Sequence, residues 1–423
     1  MLVVANNSFS LTNANGRTLG NMFVGWPKDC LAEFCISTDG ADFDICDNYY
    51  CISDQEMLSA FLLMKKARGH KLEQNKKEYV ATGIYGKKKT AFRSVFRHLL
   101  WSCNRWRSKE MENWVSAFNP EAILVMNGDA AFILSIARKI SKEKGIPLLM
   151  FNTEGYCLFE HDWMYRGVFS LLGFPIYKRL LRRETQITMN QLKFIIHGNQ
   201  LLKDDFDRVF DVPSEVVYTS SNVQWSNKPF NTDAPKIVYL GNFGYNRPNS
   251  LALVAKVLRS ISPNYNIDVY GKPRTAYQEY ILTHSDGVVF HGAVPYEEVK
   301  TIMSTADILL HVEGIDEDLQ ESLRYGFSTK IADCLSSGRP FFLFSRPDIA
   351  CAQYIRHHGV GWFASDETGI REELTSLINN KDDRIIRLER AHSLAIQNHS
   401  MDKCRMKFQS IIKGITTEQE SFS

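Results

Sequence analysis

At 423 residues the chain is about two to three times the usual length of one domain, so two domains are expected. Hydrophobic residues at 44% and charged residues at 23% are globular proportions and exclude a disordered chain. A formal charge of +2 excludes a global field that would gather nucleic acid, and no apolar run reaches the roughly 18 residues of a membrane-spanning helix.

The chain opens on MLVVAN, an apolar run with no basic residues ahead of it, which reads as a buried first strand rather than a signal peptide. Nine scattered cysteines suit a reduced, cytoplasmic protein. The first four, Cys30, Cys35, Cys46 and Cys51, lack the C-x2-C spacing of structural zinc, so ordinary buried thiols are expected. Asp42-Phe43-Asp44 and Asp316-Glu317-Asp318 match an Asp-x-Asp metal tripeptide only formally, since neither ends a clear strand, and no metal is expected. From Tyr79 to Lys109 no acidic residue occurs, while Lys87, Lys88, Lys89, Arg93, Arg97, Arg105 and Arg107 alternate with Phe92, Phe96, Trp101 and Trp106.

EAILVMNGD is the next buried strand. After it Asp129 is placed to cap a helix whose Phe132, Ile136 and Ile140 share a stripe, and Gly145 ends that helix before Pro147 opens the strand PLLMFNTEG. A second basic-aromatic stretch, VFSLLGFPIYKRLLRRE, carries Phe169, Lys178, Arg179, Arg182 and Arg183. Cations beside Trp, Phe and Leu suit an interfacial helix on an anionic membrane; the same pattern suits helices whose apolar residues face a core. LKFIIHGNQ closes the first strand series. The polar segment Ser226 to Pro235 then separates it from a second series: KIVYLGNFG, NIDVYGK, GVVFHGA, ADILLHVEG and PFFLFSR. Near-continuous apolar strands alternating with helices mean parallel sheets covered on both faces, with ligands at the carboxyl ends of the strands.

The most specific stretch is His311 to Phe344. A loop delivers Glu313, and Ser328-Thr329-Lys330 opens a helix whose free N–H groups and dipole suit a phosphate, with the Lys330 charge beside them. FSTKIADCLSSGRP, with IVYLGNFGYNRPNS, NIDVYGK, VVFHGAVPYEEV and ADILLHVEG before it, resembles the donor-binding half of GT-B glycosyltransferases, in particular glycosyltransferase family 4 of the bacterial surface-polysaccharide type. The first half resembles it more loosely, through NANGRTLGNMF and the stretch from Asn119 to Tyr156.

The resemblance implies two Rossmann-like doubly wound α/β domains facing each other across a cleft. Residues 1–225 would form the acceptor-side domain, 226–235 a linker, 236–400 the nucleotide-sugar domain and 401–423 a C-terminal helix and frayed tail. Sugar would pass from a UDP- or GDP-sugar to a glycan or lipid-linked acceptor of a capsule or other surface polysaccharide, without a cofactor or metal, in the cytoplasm at the inner face of the membrane. Donor contacts implied are Asn15, Gly16, Arg17, Gly244, Arg247, Lys272, Glu313, Ser328, Thr329, Lys330 and Asp333. Of the family's two glutamates with seven residues between them, Asp333 stands at the second position and Tyr325 at the first, with Glu313 of the preceding loop as the substitute for the donor sugar. Glu154 and Asp129 are the candidate catalytic residues near the reacting centre. The membrane patch comprises Arg93, Arg97, Trp101, Trp106, Lys178, Arg179, Arg182 and Arg183. Two other readings stay open: a sugar-nucleotide epimerase of the same fold, and a non-catalytic sugar-nucleotide or glycan-binding partner of a synthase complex.

Overall fold

The computed structural model describes residues 1–10, 14–38, 40–74, 90–164 and 170–420. The chain divides into two compact units, Met1–Val217 with Arg405–Ser423, and Tyr218–Cys404.

In the first unit the described strands are β1 (Leu2–Asn7), β2 (Ala32–Ser37), β3 (Tyr49–Cys51), β4 (His70–Lys71), β5 (Ile123–Met126), β6 (Leu148–Asn152), β7 (Leu192–His197) and β8 (Ser214–Val216). They form one sheet in the order β4-β3-β2-β1-β5-β6-β7-β8, parallel except for β4. Val4 sits opposite both Phe34 and Val125, so β1 is the strand at which the winding reverses. Every residue of β5 and β6 is buried, as a sheet covered on both faces requires.

The second unit holds β9 (Ile237–Leu240), β10 (Ile267–Tyr270), β11 (Val288–Gly292), β12 (Ile308–Val312), β13 (Phe341–Phe344) and β14 (Trp362–Ala364). Their order is β11-β10-β9-β12-β13-β14, all parallel, with the reversal between β9 and β12. Alternate residues feed two cores: Ile237, Tyr239, Phe342 and Phe344 face Val254, Leu258 and Leu374, while Val238, Phe341 and Leu343 face Ile331, Leu335 and Ile355.

The segment from Ser226 to Pro235 lies within the second unit rather than hanging as a tether. Ser226 N donates to Ser337 O, Lys228 Nζ pairs with Asp307 at 2.8 Å, and Arg339 Nη2 donates to the Lys228 carbonyl. The helix Met401–Glu420 carries the chain back to the first unit. There Phe408 meets Phe23 edge-on at 5.1 Å, and Arg405 Nη1 donates to Val24 O.

Three of the basic-aromatic residues expected at the surface are inside. In the helix Ala91–Ser102, Arg97 Nε donates to both oxygens of buried Asp54 at 2.8 and 2.9 Å, and Trp101 Nε1 donates to the same carboxylate at 2.8 Å. Arg97 also reaches Asn6 Oδ1, and Trp106 is 2% exposed against Phe34. A single buried acid, 43 residues earlier, thus draws the cationic face of this helix inward. Lys87, Lys88, Lys89 and Phe169 lie outside the described residues. No described helix is long and apolar enough to cross a membrane.

Candidate functional site

At the reversal point of the second sheet, the loops leaving β9 and β12 meet. Gly314 follows β12, and a Cβ there would stand 2.2 Å from Tyr245 O; a Cβ on Gly271 would stand 2.1 Å from Gly241 O. The glycines let three strand-end loops pack backbone against backbone. Tyr245 and Asn246 each take a left-handed φ of 54°, a conformation side chains resist, and Asn246 is tied by its amide to Asp316 Oδ2 at 3.0 Å. Gly244, read as the glycine turn, has room for a Cβ, with its nearest neighbour at 3.5 Å. The turn is carried by the two residues after it.

Arg247 opens the helix Arg247–Ile261 and is buried, as is Glu313. The guanidinium donates to Glu313 through Nε at 2.9 Å and Nη2 at 2.8 Å, to Val312 O at 3.2 Å, and to Asn242 Oδ1. His311 Nε2 lies 2.9 Å from Glu313 Oε1, and Ser250 Oγ donates to the Glu313 carbonyl. Burial alone would raise the Glu313 carboxyl; the His311 hydrogen bond and the Arg247 charge outweigh it and bring it down to about 2. Burial holds His311 below its usual value, so the ring is neutral and donates. Arg247 and Glu313 were expected to face the diphosphate and the sugar. In the structure each is engaged by the other as a buried ion pair.

That leaves Lys330 as the cation of this corner. Its helix, Thr329–Ser336, begins after Ser328, whose Oγ accepts from Lys330 N at 3.3 Å. The Lys330 side chain is half-buried, and its ammonium makes no hydrogen bond or ion pair among the described residues. Burial first, then the neighbouring Arg247 charge, lower its pKa; Glu313 and Asp333 oppose this. A cation so placed gains from any anion that arrives. Asp333, one turn along the same helix, accepts from Ser221 Oγ at 2.7 Å. Tyr325 is buried beneath Arg324, whose Cζ stands 5.5 Å from its ring centroid. Lys272 is exposed at the end of β10.

In the first unit the carboxyl ends of β5, β6 and β7 are joined by a buried polar chain. Asn127 Nδ2 donates to Asn152 Oδ1 at 2.8 Å, and Asn152 Nδ2 lies 3.2 Å from His197 Nδ1. Asn127 also reaches the Glu154 carbonyl at 3.3 Å, which fixes the loop that carries this candidate. Burial lowers the His197 pKa to about 4, so the imidazole is neutral. The sequence reading passed over this chain, although each strand run ends on Asn or His, a repeated polar stop after apolar residues.

Asp129 does not cap its helix. Ala130 holds the N-cap position of Ala131–Lys144, and Asp129 stands half-buried in the loop before it. Gly145 ends the helix in the left-handed conformation, as read. Gly16 fits against the backbone after β1, where a Cβ would lie 2.2 Å from Ser8 O, so its openness serves packing. Arg17 is half-buried beside it; Asn15 is the second residue of the same helix, Ala14–Phe23, its side chain outside the described set. Among the described residues no three His, Cys, Asp or Glu side chains gather as a metal-ligand set.

Residues 234–380 match the family model described as "Glycosyl transferases group 1". No curated protein matches the sequence. HepE of Anabaena, solved with UDP and glucose, superposes with a TM-score of 0.63 at 12% identity, covering 98% of this chain and 99% of HepE. Sucrose-phosphate synthase of Thermosynechococcus elongatus gives 0.64 at 10% identity, over 99% and 100% of the two chains. WaaG, a glycosyltransferase involved in lipopolysaccharide biosynthesis, gives 0.58 at 12% identity, over 97% and 99%. With two doubly wound sheets, parallel but for β4, the chain has the GT-B fold, and its residues 234–380 match the group 1 glycosyltransferase family.

Proposed function

We propose that this glycosyltransferase takes its sugar from a UDP- or GDP-sugar and passes it to a hydroxyl of a glycan, one carried on a lipid as in surface-polysaccharide assembly. The observation that carries the reading is Lys330, a half-buried ammonium in the first turn of the Thr329–Ser336 helix with no hydrogen bond or ion pair among the described residues. HepE has also been solved with UDP-glucose, which supports a donor of that class.

Breaking the bond between anomeric carbon and phosphate sends its electron pair to the diphosphate, while the acceptor oxygen forms the new bond to carbon. Fixed N–H groups of the helix start and the Lys330 ammonium would stabilise the leaving diphosphate, the usual place for the largest electrostatic gain. In this reading no divalent cation is required, because those groups supply the positive charge. The acceptor proton goes to Glu154 or Asp129 if the anomer inverts, and to the diphosphate if it is retained. Asp333 and Lys272 would meet the nucleotide. Arg247 and Glu313 would hold the loops after β9 and β12 in place beneath the donor rather than contact it.

The test is nucleotide release from a panel of nucleotide sugars with a glycan acceptor, with and without EDTA. Lys330→Met should cut turnover by about 100-fold or more, while thermal stability without ligand holds or rises, since an unpaired ammonium has been removed. Saturating nucleotide at 100 times its dissociation constant should stabilise the wild type by about 2.7 kcal/mol. Unimpaired turnover in Lys330→Met, or strict dependence on Mn²⁺, would overturn the assignment.

A further inference from the structure

The helix Ala91–Ser102 is turned the unusual way round. Arg97, His98 and Trp101 are buried, whereas Phe92, Phe96 and Leu99, spaced four and three apart on the opposite face, are 61%, 43% and 58% exposed. The helix Ser170–Met189 packs beside it: a Cβ on Gly173 would stand 3.1 Å from Phe92 N. That helix shows Leu172 and Ile176, 71% and 53% exposed. Together the five side chains leave on the order of 500 Å² of apolar surface in water, the size at which a patch on a soluble protein has a partner.

What the partner is follows from charge. One helical turn beyond Ile176 come Arg179 and then Arg183, both exposed and both without a hydrogen bond or ion pair among the described residues. Lys178 and Arg182 share Glu160. The helix Ala91–Ser102 has no acidic residue, and the one carboxylate of the longer helix, Glu184, is bonded to Arg138 at 2.8 Å. The neighbouring helix Asp54–Leu62 runs out into Phe61, Leu62, Leu63 and Met64, all exposed, followed by Lys65 and Lys66. Large apolar side chains flanked by cations with no net acid among them match a bilayer interface bearing anionic headgroups: the rings enter the acyl boundary and the arginines stay with the phosphates.

We propose that Phe92, Phe96, Leu99, Leu172 and Ile176 dock the first unit on an anionic membrane, with Arg179 and Arg183 holding the headgroups. Arg97, Trp101 and Trp106, which the sequence suggests for this task, are interior and take no part. The proposal stands apart from the donor chemistry, because binding is read without turnover.

The experiment is flotation of the full chain with vesicles of phosphatidylcholine alone or of equal parts phosphatidylcholine and phosphatidylglycerol, at low and high salt. The wild type is expected to float with the anionic vesicles and to be released by salt. Phe92→Ser with Phe96→Ser should weaken binding about tenfold or more, and Arg179→Glu with Arg183→Glu by at least as much, each cation being worth about fivefold. All four positions lie at the surface, so thermal unfolding without vesicles should be unchanged; should the phenylalanine pair fail to fold, the arginine pair decides alone. No flotation, equal binding to neutral vesicles, or binding indifferent to both pairs would overturn the proposal. So would a concentration-dependent dimer that the phenylalanine pair abolishes, which would make a second copy of the chain the cover.

Discussion

Replacing Glu313 by glutamine tests whether the charge beneath the donor corner is structural. Glutamine keeps the size and one acceptor oxygen but turns an NH₂ toward Arg247, setting donors against donors in a site where both side chains are buried. The carboxyl lies near 2 in the fold against an ordinary 4.5, and about 2.5 units correspond to about 3 kcal/mol. Breaking a buried pair by removing one partner costs about 3–5 kcal/mol by a separate route, so about 3 kcal/mol is the expected loss. Because the folded value is depressed, this stabilisation is present above pH 4.5 and disappears as pH falls through 2. Urea unfolding of wild type, Glu313→Gln, and Arg247→Met with Glu313→Leu measures it. The double variant should recover most of the loss, since apolar side chains of similar volume commonly replace a buried pair without penalty. A loss below about 1 kcal/mol in Glu313→Gln, or a double variant weaker than the single, would refute the fixed-pair reading and return Arg247 to the phosphate.

Acid should destabilise the fold through two histidines. His197 and His399 are fully buried, the latter between Thr219 O and Tyr354 Oη, and burial brings both to about 4. Each therefore loses stability as pH falls from 6.5 toward 4, at most about 3 kcal/mol apiece, and melting curves across that window that do not move would contradict it. Arg97→Ala should cost about 3–5 kcal/mol by stranding Asp54 and Trp101, read by chemical unfolding. A variant that stayed stable but lost vesicle binding would put Arg97 on the surface after all.

Nine strands could be read from short apolar runs, most plainly β5, β6, β12 and β13, where burial of both faces leaves no polar side. β2 escaped the reading because AEFCIS carries Glu33, which in the fold is wholly buried. Its carboxyl accepts from Phe9 N at 2.8 Å, and burial raises its pKa well above the usual carboxylate range. β3, β8 and β14, of three residues each, are too short to carry a period. The helix start at Thr329 was legible, since Ser, Thr and Lys stand in consecutive places with local meaning. The engagement of Arg247 with Glu313 was not: 66 residues separate them, and only the pairing of β9 with β12 brings them together. For the helix Ala91–Ser102, periodicity announces two faces but cannot say which is inside. Asp54 decides that from another helix.

The chain's return at Arg405 bears on how the protein is made. Phe23 and Phe151 receive Phe408 as an aromatic lid, and Lys407 reaches Glu215 at 2.7 Å, so the first unit is finished by residues synthesised after the whole of the second. On the ribosome the opening half must wait, its lid seat bare, while the whole second unit emerges and folds. A nonsense codon before Met401 would accordingly injure the first unit, although the second unit stands between that codon and the rest of the unit it harms.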